Sequence, residues 1–311
     1  MTKNKARRRA DDCLRQFPAS HYWVMNKHPF DQALRLEAAG SDRPDTWLGA
    51  SSPAYWNMVG PFGGTTAATA LQAILRHPSL LGEPIALTVN YASAMAEGPF
   101  SITATPVRTN RSTQHWTVEL LQADASGAEA VVMTATAVTA ARRETWSAND
   151  TPMPAVGFLD TLPRLRFGSS EWTRRYDIRV ARGMIPEVWD GSCQGGEKGG
   201  EEGGEGGSLT QLWVRDEPPR PLDFLALTAM ADAFYPRVWL RRATRVPAGT
   251  VSITVYFHAD SRQLAQSGEG HLLGQARGQN FRNGFFDQTV QVWNQAGALL
   301  ATSSQMVYYK E

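Results

Sequence analysis

The chain has 311 residues, 42% of them apolar, enough for one large domain or two ordinary ones with a sizeable core. Its 31 Lys and Arg balance 30 Asp and Glu, which leaves no electrostatic footprint for nucleic acid. There is no apolar run of about 18 residues and no signal-peptide core, and two cysteines, Cys13 and Cys193, make no disulfide framework, so a soluble protein of the reducing cytoplasm is expected, with no membrane insertion.

Residues 1–27 open with the basic stretch TKNKARRRADD, which carries no apolar run and reads as a mobile N-terminal tail. Helical apolar spacing first appears in MNKHPFDQALRLE, at Phe30, Ala33, Leu34 and Leu36, and a first domain is expected over 28–145. TWLGAS is strand material, and GPFGGTTAATALQAILR is a helix opened by glycines. Four runs follow that alternate apolar and polar residues and are rich in β-branched side chains: IALTVNYA, FSITATPVRTN, HWTVELLQ and AVVMTATAVTA. The Pro-rich polar segment 146–167 reads as a linker.

A second domain is expected over 168–311, and its elements come in the same order. RRYDIRVA and SLTQLWVR are strands, PLDFLALTAMADAF (221–234) is a long apolar helix, and TVSITVYFHA, HLLGQARGQN, FFDQTVQVWNQ and ALLATSSQMVYYK are strands. Inside this unit lies a Gly/Glu-rich insertion, 190–208, which cannot bury a core and reads as a flexible loop. It is no phosphate loop, because no Lys-Ser/Thr follows its glycines and its glutamates repel phosphate. A helix apolar nearly all round must be covered on most sides. A strongly curved antiparallel sheet wrapped around each helix does this, which predicts an α+β double hotdog. The apolar run 224–234 of the second helix is interrupted by one carboxylate, Asp232, and an acid buried there costs several kcal/mol unless it is paired or used.

The FGG that opens the first helix (Phe62, Gly63, Gly64), WVRDEPPRPLD before the second, YFHA on the next strand and the final ATSSQ together resemble the acyl-CoA thioesterase II family of double-hotdog enzymes. The resemblance runs from about Phe30 to Tyr309. It implies hydrolysis of acyl-CoA with no cofactor beyond the CoA of the substrate, and a possible homo-oligomer. It also implies a water held by a carboxylate on the second helix, a hydroxyl on the next strand and a glutamine on the last strand. These fall on Asp232, Thr250 and Gln305, with Ser252 and Thr254 open as alternatives for the hydroxyl, since a regular strand puts all three on one face. The first repeat carries no acid on its helix, and Ala137 and Val138 stand where the second has Gln305, which implies one working site built from both halves. The structural alternative has Asp232 capping the helix or pairing with Arg237.

Arg108 and Arg111 near one strand turn, and Arg277 and Arg282 in the equivalent turn of the second half, are candidates to meet CoA phosphates, with solvated turn arginines as the alternative. Gly63 and Gly64 are candidates to receive the thioester carbonyl at the helix N-terminus. His115 and His258 read as structural strand histidines, and Trp56, Trp116, Trp213 and Trp293 as core or interface aromatics. NRS (110–112) and NDT (149–151) match glycosylation sequons without other signs of secretion. The rival functions are a hotdog hydratase or dehydratase, which needs a His beside the acid, and a catalytically silent acyl-CoA-binding or protein-interaction module. No G-x-S-x-G elbow and no His/Cys metal cluster occurs.

Overall fold

The computed structural model describes residues 28–124, 126–165, 170–191 and 207–311. The basic tail, residues 195–206 of the Gly/Glu run, Cys13 and Cys193 lie outside the described residues. The first half contributes β1 (Glu37–Ala38), β2 (Thr46–Ala50), β3 (Glu83–Tyr91), β4 (Pro99–Thr109), β5 (Thr113–Ala123) and β6 (Glu129–Ala140). The second contributes β7 (Tyr176–Arg182), β8 (Thr210–Asp216), β9 (Ala248–Phe257), β10 (Leu272–Arg277), β11 (Phe281–Arg282), β12 (Phe285–Trp293) and β13 (Leu299–Tyr309). All join one antiparallel sheet in the order β1-β2-β4-β5-β6-β3-β9-β13-β12-β10-β8-β7, with β11 on β12.

Read outward from the β3–β9 seam, the two halves follow the same order, so the internal repeat is a structural one. Thr88 and Thr254 face each other across the seam, their hydroxyls 2.9 Å apart. Alternation sets the buried face: on β5, Gln114, Trp116, Val118 and Leu120 point inward, while His115, Thr117 and Glu119 are exposed.

Helix α1 (Pro29–Ala33) sets the Phe30 ring edge-on to Tyr55 at 5.7 Å, and α2 (Gly63–Leu75) is the central helix of the first half. Its small residues are buried without a break from Gly64 to Leu71. It packs against α3 (Phe224–Met230), all seven residues of which are buried. A Cβ on Gly64 would lie 2.6 Å from the Ala229 carbonyl oxygen, so glycine permits this close crossing. Two short helices complete the second half: α4 (Arg237–Arg241), and α5 (Ser261–Ser267), which a capping box from Asp260 and Gln263 opens.

The long second helix expected from the sequence is corrected. It ends at Met230, and Asp232 sits in the tight turn beyond, where its N–H bonds the Ala229 carbonyl and its carbonyl accepts from Phe234. Pro236 bars the helix from continuing past this turn. Its ring would clash with the carbonyl of residue 232, and it biases Tyr235 away from helical dihedrals. Ser208, at the end of the expected flexible insertion, is buried, and its hydroxyl both donates to and accepts from the Gly278 backbone.

Candidate active site

Where the N-terminus of α2 meets the turn after α3, a cavity of about 1050 Å³ opens beside β3, β9 and β13. Gly63, Tyr91, Asp232, Thr250 and Gln305 all line it. Asp232 is 8% exposed. Its Oδ1 accepts from the Gln305 Nε2 at 2.8 Å, and the Gln305 Oε1 in turn accepts from the Thr250 hydroxyl at 3.4 Å. The three predicted residues therefore form a chain in which Thr250 reaches the carboxylate through the amide. The Gly64 N–H donates to Asp232, and a Cβ on Gly63 would stand 2.9 Å from its Oδ2. Tyr91 donates to the Gly63 carbonyl at 2.7 Å and thus holds the first residue of α2 in place.

Desolvation pushes the Asp232 carboxyl up to about 7, against the opposing pull of the Gln305 and Gly64 donors. Burial, reinforced by the Asp232 charge, also holds the Tyr91 phenol well above its usual range, so it stays a donor. Arg237, the alternative partner of Asp232, is fully buried but points elsewhere. Its guanidinium donates to the Ser208 and Tyr235 carbonyls and to the Thr210 hydroxyl, and burial lowers it to about 10.

A β-bulge separates the three hydroxyl candidates. Ser252 pairs with Met306 and Thr250 with Val307, so Val251 is an extra residue that breaks the two-residue period. Thr254 and Ser252 stand opposite Ser304 and Met306 on the outer face, and the Thr254 hydroxyl is engaged with Thr88. Thr250 is returned to the inner face of Gln305 and Val307. The expectation that all three share one face is thereby corrected.

The matching bulge in the first half falls at Ile85, three residues from Thr88 as Val251 is from Thr254. There, Pro84 occupies the place of Thr250 and Ala137 that of Gln305. The strand equivalent of Tyr91 is Phe257, whose ring packs edge-on to Phe224 at 5.6 Å. Arg142 closes this end by donating to the carbonyls of Pro84, Phe257 and His258. The first repeat thus lacks the polar groups, as Ala137 predicts.

The four candidate phosphate arginines stand outside the cavity lining. All are exposed. Arg108 and Arg111 flank a turn at the Glu83 end of the sheet, about 26 Å along β3 from Tyr91. Arg277 and Arg282 border the β10–β12 connection. His115 and His258 are exposed and away from the cavity, the latter with its ring on the Thr302 hydroxyl at 3.0 Å. Trp116 and Trp293 are core residues, Trp213 is buried beside Trp293, and Trp56 is half-buried.

The cavity also uses residues the sequence reading passed over: Tyr91, Arg245, Lys310, Trp189, Trp239, and Trp172, which stacks on Phe62 at 4.2 Å. Tyr91 had a legible signal, a polar-tipped aromatic closing an alternating strand. The others come from irregular segments, from the end of a strand or from helices of five residues, too short for periodicity to show. Among the described residues, no group of three or more His, Cys, Asp or Glu is placed to hold a metal, and no helix is long and apolar enough to cross a membrane.

Two family models match the chain: an acyl-CoA thioesterase N-terminal domain over residues 52–140 and an acyl-CoA thioesterase C-terminal domain over 148–309. A conserved protein of unknown function with a hot dog fold from Alicyclobacillus acidocaldarius is 44% identical, with a TM-score of 0.81 over 92% of this chain and 99% of that one. An acyl-CoA thioesterase II, TesB2, from Mycobacterium marinum shares the fold at 18% identity, with a TM-score of 0.66 over 90% and 98% of the two chains. A tesB protein from Mycobacterium avium subspecies paratuberculosis does so at 15% identity, with a TM-score of 0.67 over 92% and 100%. No curated protein matches the chain.

Proposed function

The chain belongs to the family of acyl-CoA thioesterases built from paired N- and C-terminal domains, and we propose from that premise that it hydrolyses acyl-CoA to the free acid and CoA. The observation that carries the reading is the Thr250–Gln305–Asp232 chain, set against the glycine-opened end of α2 on the wall of a large cavity. Asp232, with its carboxyl near 7, is a base matched to neutral pH. Gln305 fixes one carboxylate oxygen, and Thr250 fixes Gln305. A water on the carboxylate gives its proton to Asp232 and adds to the thioester carbonyl carbon. The oxyanion that forms is received at the N-terminus of α2, where the Gly63 N–H has no intrahelical acceptor. The carbonyl re-forms, the C–S bond breaks, and the thiolate leaves and takes up a proton, yielding carboxylic acid and CoA.

Among the described residues no histidine lines the cavity, which disfavours the hydratase and dehydratase chemistry. The test is thiol release across acyl-CoA substrates of increasing chain length. Saturable release for part of the series is expected. Tight binding without release from any of them would leave the silent binding module as the better reading.

A further inference from the structure

The cavity wall holds two cationic side chains among the described residues, Arg245 and Lys310, and both stand at one rim. Arg245 precedes Pro247 by two residues, and the Lys310 N–H bonds the Pro247 carbonyl at 3.0 Å. Both side chains are exposed, and neither has an ion-pair partner among the described residues, whereas nearby Arg242 is paired with Glu311. The Arg245 guanidinium lies 4.7 Å over the Trp189 ring, which holds its direction but leaves its charge uncompensated. Asp232, by contrast, is the one carboxylate lining the cavity among the described residues and is buried. The cavity is thus polarised, with a base inside and two free cations at its edge.

Resting on the hydrolase reading above, we propose that Arg245 and Lys310 bind the phosphate of a phosphopantetheine thioester, the group shared by acyl-CoA and acyl carrier proteins. The reach fits. Arg245 lies five residues before Thr250, at most ~17 Å along an extended strand. The arm between the sulfur and phosphorus of phosphopantetheine has the backbone length of about four residues, ~15 Å. A thioester carbonyl at Asp232 therefore brings its phosphate to the rim. A guanidinium grips phosphate with a two-pronged fork, and an ammonium adds a point charge.

The test compares one acyl group on four thiols: CoA, phosphopantetheine, a carrier protein and unphosphorylated pantetheine. The parent is expected to favour the phosphate-bearing thioesters, and in Arg245→Glu/Lys310→Glu that advantage in kcat/KM over pantetheine falls tenfold or more. Because the readout is a ratio within one variant, partial loss of fold cancels. Whichever phosphate-bearing source loses the advantage identifies the substrate, and an unchanged ratio for all of them overturns the proposal. Calorimetric titration of free CoA gives a second reading independent of hydrolysis. Binding that weakens in the double variant and with added salt upholds the cationic rim even if no thioester is cleaved, and CoA binding indifferent to both overturns it.

Discussion

At the scale of single residues, Asp232 answers to two demands. Burial raises its carboxyl to about 7, so activity should climb as pH rises through 7 and the base loses its proton. Asp232→Asn keeps the shape and removes the base. Turnover should fall by roughly 10²–10⁴, and the pH limb near 7 should vanish with it. A variant with the parent's turnover and pH profile would end the catalytic assignment. Gln305→Ala should cost less, because it frees the carboxylate without removing it. A second acid, Asp216, is 1% exposed and also raised to about 7 by desolvation. Neither of its oxygens has a hydrogen-bond partner among the described residues, and the same holds for the buried hydroxyls of Tyr55 and Tyr176. Its native carboxyl keeps a proton that the unfolded chain releases near 3.8, so stability falls as pH rises from there to about 7 and then levels off. Asp216→Asn should stabilise the protein at pH 8 by up to about 4 kcal/mol and by much less at pH 5. Denaturant midpoints at the two pH values check this, and an equal gain at both would show that desolvation is not the cause.

At the scale of elements, the bulge on β9 decides which hydroxyl joins the site. Thr250→Val should lower kcat, whereas Ser252→Ala and Thr254→Val, on the outer face, should leave it within about twofold of the parent. Thiol-release kinetics on the three variants separate the faces, and a loss confined to Ser252→Ala would refute the register. The α2–α3 crossing is as specific. Gly64→Ala sets a methyl against the Ala229 carbonyl and the Phe62 ring and should destabilise by about 1–3 kcal/mol. Calorimetric melting measures it, and an unchanged melting temperature would mean the helices part freely. The shortened second helix belongs at this scale too. Composition argues for helix through Phe234, but the helix ends at Met230, and the turn beyond it sets Asp232 against Gln305.

At the scale of the molecule, one apolar core runs through both halves, and the sheet continues across the β3–β9 seam. Separated, each half would expose the inner edge of its sheet and the face of its helix. The intact protein should therefore unfold in a single denaturant transition monitored by fluorescence and circular dichroism together, and two resolved transitions would show that the halves are independent. The site requires the same continuity, since the glycine-opened helix and Tyr91 come from one half and Asp232, Thr250 and Gln305 from the other.

Alternation and apolar runs in the sequence by themselves determined the strands, the repeat, the two central helices and the double-hotdog plan, because these are local consequences of which side chains can face water. An acid inside an apolar stretch marked Asp232 for the same reason, whereas Gln305 came from the family resemblance, with Ala137 in the other repeat agreeing. Only the tertiary structure decided the rest. The strand period cannot reveal an inserted residue, so the choice of Thr250 waited on the pairing of β9 with β13. Exposed arginines look alike in sequence, so Arg245 and Lys310 could be told from Arg108, Arg111, Arg277 and Arg282 only by where the sheet carries them. Proximity between groups distant in the chain is a property of packing, which no local pattern encodes.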